Sequence, residues 1–137
     1  MGLLRNFDLN NFEHAKCVLE TGSEKGFGIE HALRYKNIKE VHSVEINEKF
    51  YDFCGQKFKH DDRVNLWLGS SEDRLEEMLK SISHLDSCLY WLDAHLPSDP
   101  GSYFKHDRVD NDIEFPLEIE LKIIKENRDT SKDYFII

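Results

Sequence analysis

Short apolar segments recur along the chain and alternate with segments in which apolar residues return at helical spacing. The apolar segments are rich in β-branched or aromatic residues, which is typical of buried parallel strands. They predict strands at 16–19, 40–46, 64–68, 87–92 and 134–137. The segments with helical spacing predict helices at 29–35, 48–58, 72–82 and 117–126.

This alternation predicts the architecture. Single helices between successive strands imply right-handed crossovers and a parallel sheet with helices on both faces, which is a doubly wound α/β domain. A chain of 137 residues is about one domain long, so we expect residues 1–137 to form a single domain, with 1–14 as a leading arm or short helix. Residues 94–112 are the one long irregular stretch. It follows the fourth strand, where such folds place substrates.

Charge and composition narrow the class of partner. The formal net charge is -9 at pH 7 and the pI is near 5.2, which argues against binding along nucleic acid, because that needs clustered lysine and arginine. No apolar run reaches the length of a membrane span, and the N-terminus lacks a signal-peptide pattern. We therefore expect a cytoplasmic protein without membrane contact. Cys17 and Cys88 lie in apolar stretches and are expected to be buried thiols.

The segment Glu20-Thr-Gly22-Ser-Glu-Lys-Gly26-Phe-Gly28 lies where the first strand turns into the first helix. Glycine there permits positive φ and lets a ligand approach the main chain, while the free amides at the helix start face that ligand. The spacing differs from the G-x-G-x-x-G pattern of dinucleotide sites. A nicotinamide cofactor is therefore the poorer fit, and a tight turn that binds no ligand is the alternative.

This segment resembles the first motif of the class I S-adenosylmethionine-dependent methyltransferases, acidic-x-Gly-x-x-x-Gly-x-Gly. The resemblance implies a Rossmann-like sheet of order 3-2-1-4-5 and S-adenosylmethionine as the cofactor. It implies that the acidic residue receives the methionine ammonium, often through water, and that the turn passes under the methionine and ribose. The implied cofactor contacts in this segment are Glu20, Gly22, Ser23, Gly26 and Gly28. Members of the family commonly continue with further C-terminal strands, so we expect a minimal version of the fold or part of a longer one.

Further cofactor contacts are expected after the second and third strands. Glu45 ends the second strand, where a carboxylate can accept hydrogen bonds from both ribose hydroxyls, and the resemblance implies that role. Ile46 is then a candidate for packing on the adenine. Ser70 stands where many relatives have an aspartate that meets the adenine amino group. Ser70 or its neighbours can contact the ring, although Ser71 is equally well explained as a helix N-cap.

The motif Trp91-Leu-Asp93-Ala-His95 ends the fourth strand. It looks like the WLDAH motif of a bacterial group of methyltransferases, in which this segment faces the methyl acceptor. His95 titrates near neutral pH and is the candidate base. Asp93 can orient His95, contact the methionine end of the cofactor or share a divalent metal with His95, but such metal sites need further carboxylates, and we assign none. The alternative is that both are ordinary polar residues at a strand end.

These residues predict a methyltransferase that acts on an oxygen or nitrogen of a small molecule or glycan. The alternative is a non-catalytic or truncated cofactor-binding or interaction module of the same fold. A nicotinamide-dependent oxidoreductase is a weaker third reading. The open edge of the sheet at the fifth strand also predicts a homodimer formed by edge pairing.

Overall fold

The structure, a computed structural model, describes residues 6–93 and 116–137. Its five strands are β1 Cys17–Thr21, β2 Glu40–Glu45, β3 Val64–Leu68, β4 Cys88–Leu92 and β5 Tyr134–Ile136. They pair in parallel in the order β3-β2-β1-β4-β5. Every predicted strand is present, and the predicted doubly wound, Rossmann-like order is confirmed.

In the described ranges, four helices connect the strands: α1 Phe27–Ala32, α2 Glu48–Lys57, α3 Ser71–Ser81 and α4 Pro116–Asn127. The leading segment contains a short 3₁₀ helix at Leu9–Phe12. Helix α1 ends earlier than predicted, because Arg34 and Tyr35 donate to carbonyls three residues back and so tighten the chain into a turn. None of the helices in the described ranges is long and apolar enough to cross a bilayer.

The sheet buries a separate core on each face, because successive strand residues point to opposite sides. On one face, Val18 and Val41 pack with Ile29 of α1 and Cys54 of α2. On the other face, α3 and α4 cover the residues that alternate with these, namely Cys17, Leu19, Val44, Cys88, Tyr90 and Leu92. The burial predicted for Cys17 and Cys88 is confirmed.

A buried ion pair attaches the short edge strand β5 to the rest of the sheet. Arg128 Nε lies 2.8 Å from Asp133 Oδ2, and Arg128 also donates to the Leu85 carbonyl beyond α3 at 2.7 Å. Asp133 in turn accepts from the Cys88 amide at 2.8 Å and from the Tyr90 hydroxyl at 3.1 Å. Each charge therefore has several partners, as a charge removed from water requires.

A parallel sheet places the carboxyl ends of all its strands along one edge, which is where open α/β folds bind ligands. Here that edge carries the glycine-containing segment after β1, Glu45 at the end of β2, Gly69 after β3 and Asp93 after β4. Hydrogen bonds join neighbouring positions: the Gly22 amide donates to the Val44 carbonyl at 2.8 Å, and the Gly69 amide donates to the Glu45 carbonyl at 3.0 Å. The sequence-predicted residues of the first three connections thus share one edge.

Candidate functional site

The connection from β1 to α1, residues 22–26, is a tight turn that requires glycine at two positions. Gly22 has φ 91° and Gly26 has φ 80°, both in the left-handed region that residues with a Cβ rarely adopt. Gly26 is also the N-cap of α1, and a Cβ there would lie 2.6 Å from the Phe58 ring. We refer to this connection as the glycine turn.

Gly28 is required for a different reason, since its φ is ordinary. A Cβ on Gly28 would overlap the Oε1 atom of Glu20, which lies against the first turn of α1. The carboxyl group of Glu20 thus occupies the space that a side chain at position 28 would need. The two residues that the motif places eight positions apart are in direct contact.

Glu20 is buried, with 3% of its surface exposed, and it faces other acids. The pKa of its carboxyl group is raised from 4.5 to about 8, mainly by burial; a hydrogen bond from Ser43 lowers the pKa, and the charges of Asp93, Glu45 and Glu24 contribute to raising it. The Ser43 hydroxyl lies 2.6 Å from Glu20 Oε2. In the free chain at neutral pH, Glu20 is therefore mainly protonated.

Glu45 holds the glycine turn from the neighbouring strand. Its Oε2 accepts from the amide of Glu24 at 2.8 Å, and its Oε1 accepts from the amide of Asn47 at 2.9 Å. Glu24 has φ 45°, which is unusual for a residue with a Cβ, and the bond to Glu45 stabilises that conformation. A carboxylate offers about four lone-pair positions, so Glu45 retains capacity to accept from a ligand.

Apolar side chains are exposed beside Glu45. Ile46, which directly follows it, is 39% exposed, and Leu68 at the end of the paired strand β3 is 36% exposed. Large apolar groups exposed at the carboxyl edge of a sheet are suited to contact a flat, apolar ligand face.

At the start of α3, the structure differs from the prediction that Ser71 is the helix N-cap. Ser70 is the N-cap: its hydroxyl accepts from the Asp73 amide at 3.2 Å. Ser71 is the first helical residue, and its hydroxyl bonds Glu120 of α4 instead. The N-cap assignment to Ser71 was therefore wrong by one residue, because an N-cap must be non-helical and Ser70 has ψ 152°.

Replacing Ser70 tests this capping role. Ser70→Ala is expected to lower the free energy of unfolding by about 1 kcal/mol, because the Asp73 amide loses its acceptor. Urea denaturation measures the change. Ser83→Ala, at an exposed serine in the turn after α3, is the matched control and should remain within about 0.5 kcal/mol of the parent chain. Equal effects of the two variants would contradict the cap.

Of the two residues predicted to be catalytic, the structure describes Asp93 but not His95. Asp93 directly follows β4, on the strand next to β1, and its charge acts on Glu20. His95 and the predicted loop 94–112 lie outside the described residues, so their prediction is neither confirmed nor corrected. Within the ranges 6–93 and 116–137, no group of three His, Cys, Asp or Glu residues could hold a metal ion.

Two polar residues of this edge were missed by the sequence reasoning. Ser43 is fully buried between Glu20 and the glycine turn. Glu120 is 1% exposed; its Oε2 lies 3.4 Å from the Thr21 hydroxyl, and its Oε1 has no hydrogen-bond partner among the described residues. Burial raises the pKa of Glu120 to about 7, although bonds from Ser71 and Thr21 lower it. The available signals were a serine inside an apolar strand and a carboxylate four residues before the buried Ile124.

Comparison with known proteins finds similar solved structures but no matching family model or curated sequence. No protein-family model matches the chain, and no curated protein sequence matches it. Among solved structures it is similar to a protein from Staphylococcus aureus proposed to be a caffeoyl-CoA O-methyltransferase, with 20% identity, a TM-score of 0.49, and coverage of 64% of this chain and 41% of that one.

Two further solved structures are similar to this chain at comparable sequence identity, TM-score and coverage. An O-methyltransferase from Bacillus cereus in complex with SAH has 21% identity and a TM-score of 0.46, over 67% of this chain and 43% of that one. The O-methyltransferase TomG from Streptomyces achromogenes, in complex with SAM, has 17% identity and a TM-score of 0.49, over 69% and 43%. The chain thus spans less than half the length of these proteins. Likeness at this level concerns the fold alone, because one fold carries many reactions.

Proposed function

We propose that this chain binds S-adenosylmethionine and belongs to a methyltransferase that acts on an oxygen or nitrogen of a small molecule or glycan. The observation that carries the proposal is the contact between Glu45 and the glycine turn: Glu45 Oε2 lies 2.8 Å from the Glu24 amide inside that turn. The Glu45 carboxylate and the main chain of the glycine turn therefore lie side by side at this edge of the sheet. A ribose with an attached amino-acid chain presents the groups that match them.

On the nucleoside side of the proposed site, Glu45 would accept both ribose hydroxyls. Among the described residues, its two oxygens each accept from one backbone amide and so retain unused lone pairs. The exposed side chain of Ile46 would pack on the adenine. Ser70, or backbone groups beside it, would contact the edge of the ring, and Ser71 is less suited because its hydroxyl already bonds Glu120.

On the methionine side, the main chain at Gly22, Ser23 and Gly26 would lie under the ligand, with no Cβ from the two glycines in the way. Gly28 leaves room for the Glu20 carboxyl. The ammonium group at the methionine end of the cofactor would interact with Glu20 through water or the neighbouring serines, since this carboxyl is 3% exposed. The acid and the glycines of the motif thus form one compact unit.

The cofactor supplies an electrophilic methyl group, and the protein supplies position and proton removal. In our proposal Asp93 lies at the methionine end, next to Glu20, and His95 accepts the proton of the methyl acceptor. This assignment rests on the resemblance of residues 91–95 to the WLDAH motif of a bacterial group of methyltransferases. Membership of this chain in that group is also part of the proposal. The alternative, a cofactor-binding module without turnover, is distinguished by cofactor binding in the absence of methyl transfer.

A cytoplasmic location and edge pairing of two copies at β5 also remain proposals. In the described part of the chain β5 is the last strand of the sheet, and Phe135 on it is 38% exposed. An edge strand of this kind offers unpaired backbone groups to another strand.

Titration calorimetry with S-adenosylhomocysteine tests the function. The parent chain should bind it and should not bind NAD. The 2′-deoxy form should bind about tenfold more weakly, because a hydrogen bond to a charged group is lost. Glu45→Ala should bind both forms weakly and about equally, since the carboxylate that distinguishes them is gone.

Glu48→Ala is the matched control, because Glu48 is an exposed acid in the first turn of α2, and it should keep the preference for the hydroxylated ligand. Because the preference is a ratio, a general loss of stability in Glu45→Ala does not produce the expected result. Absence of S-adenosylhomocysteine binding by the folded parent chain would overturn the proposed function.

A further inference from the structure

Three buried polar side chains form a continuous chain of hydrogen bonds between β1, β2 and the glycine turn. The Ser43 hydroxyl lies 2.6 Å from Glu20 Oε2 on one side and 2.5 Å from the Ser23 hydroxyl on the other. Ser43 is fully buried, and Ser23 and Glu20 are each 3% exposed. Parallel pairing places Ser43 directly beside Glu20, so the sheet register creates this chain.

The direction of these hydrogen bonds depends on the protonation of Glu20, because a hydroxyl group has only one proton to donate. When Glu20 is ionised, Ser43 must donate to it and can only accept from Ser23. A proton on Glu20 is best placed on Oε2, where the Ser43 oxygen lies within bonding distance. Ser43 then accepts from Glu20 and donates to Ser23. The hydroxyl of Ser23 is thereby released from donating to Ser43.

The charges around Glu20 favour its protonated form in the free chain. The acids Asp93 after β4, Glu45 at the end of β2 and Glu24 in the glycine turn all raise its pKa, in addition to burial. From α2 the thiol of Cys54 faces the same group, and its own pKa is raised to about 11, so it stays neutral. A cation that arrives among these groups reverses the balance and favours ionised Glu20.

We propose that Ser43 is a positioning residue that couples the protonation of Glu20 to the hydrogen bonding of Ser23, so that a ligand carrying an ammonium group binds with release of one proton. This inference rests on the proposed function for the choice of ligand, the amino-acid end of the cofactor. The proton passes from the Glu20 carboxyl to solvent, and no other bond is formed or broken. Ser43 need not touch the ligand.

The test compares two ligands in calorimetric titrations of the whole chain. S-adenosylhomocysteine carries the ammonium group, and 5′-methylthioadenosine lacks it. Titrations in buffers of different ionisation enthalpy count released protons, and we expect close to one at pH 7 for the first ligand and none for the second. By linkage, the affinity for S-adenosylhomocysteine should be nearly tenfold higher at pH 7 than at pH 6. The affinity for 5′-methylthioadenosine should not change.

Ser43→Ala provides the second readout. Without the Ser43 hydroxyl, ionised Glu20 loses a donor, so the affinity for S-adenosylhomocysteine at pH 7 should fall about tenfold while that for 5′-methylthioadenosine stays constant. Ser87→Ala is the control, since Ser87 is also buried but bonds the Lys132 carbonyl at 2.6 Å, at the opposite edge of the sheet. It should leave the ratio of the two affinities unchanged.

The outcomes separate the two proposals. Binding of both ligands without proton release at pH 7, or an equal loss of both affinities in Ser43→Ala, would overturn the role of Ser43 and leave the proposed function intact. Failure of both ligands to bind the folded chain would overturn the two together.

Discussion

Gly28→Ala is expected to destabilise the chain by about 3 kcal/mol, within the range seen for overpacked interiors. The added methyl group would overlap Glu20 Oε1, so either α1 or the carboxyl group must move. Glu20 is held by its bond to Ser43 and by burial, and it has little freedom to yield. Alanine also raises helix propensity, but by no more than about 1 kcal/mol, so the overlap decides the sign.

Urea denaturation of Gly28→Ala and Gly55→Ala measures this prediction. Gly55 lies inside α2, and a Cβ there would meet nothing within 4 Å, so Gly55→Ala should gain stability by up to about 1 kcal/mol. The same chemical change should therefore have opposite signs at the two sites. A Gly28→Ala variant as stable as the parent chain would show that Glu20 does not occupy the space beside α1.

Glu20→Gln is expected to remove much of the pH dependence of stability between pH 5 and pH 8. In the folded chain the pKa of Glu20 is about 8, against 4.5 for the ordinary carboxyl group. The folded state thus binds a proton that the unfolded state has lost, and stability falls as pH rises through this window. A shift of this size corresponds to several kcal/mol. Glutamine imitates the protonated acid at every pH, so the variant should be the more stable protein at pH 8.

Unfolding midpoints in urea from pH 5 to pH 9 measure the effect as a difference between the two proteins. Glu120, whose pKa is raised to about 7, acts in the same direction and remains in the variant, so the curve should flatten without becoming level. Glu118→Gln, at an exposed acid of α4, should follow the parent curve. Parallel curves for the parent chain and Glu20→Gln would mean that Glu20 is ionised in the free folded state.

The sequence alone predicted the order of elements because each has a local cause. Apolar runs such as 88–92 form fully buried strands wherever helices cover both faces. The glycine turn was also predictable, since positive φ at Gly22 and Gly26 follows from residue type. The bounds were less accurate where hydrogen bonding decides them: β1 continues to Thr21, and α1 begins at Phe27, directly after the left-handed Gly26.

The surroundings of Glu20, the first acid of the motif, could not be predicted from the local sequence. Its residue type and position indicated a ligand contact, yet the structure buries Glu20 against Gly28 and connects it to Ser43, 23 residues away. Residue spacing in the sequence does not predict the contact between Glu20 and Ser43, because it arises from the register of two strands that lie side by side. The raised pKa of Glu20 follows from the same burial.

What the sequence by itself determined is the set of strands and helices, the strand-to-helix turn rich in glycine, and the position of Glu45 at the end of the second strand. Hydrophobic period and glycine content act over a few residues and can be read directly from the chain. What only the tertiary structure decided is which polar groups meet: Glu45 with the amide of Glu24, Ser43 with Glu20, and Glu120 with Thr21, 99 residues apart. Such contacts depend on strand register and helix docking, which are set by the packing of the whole domain.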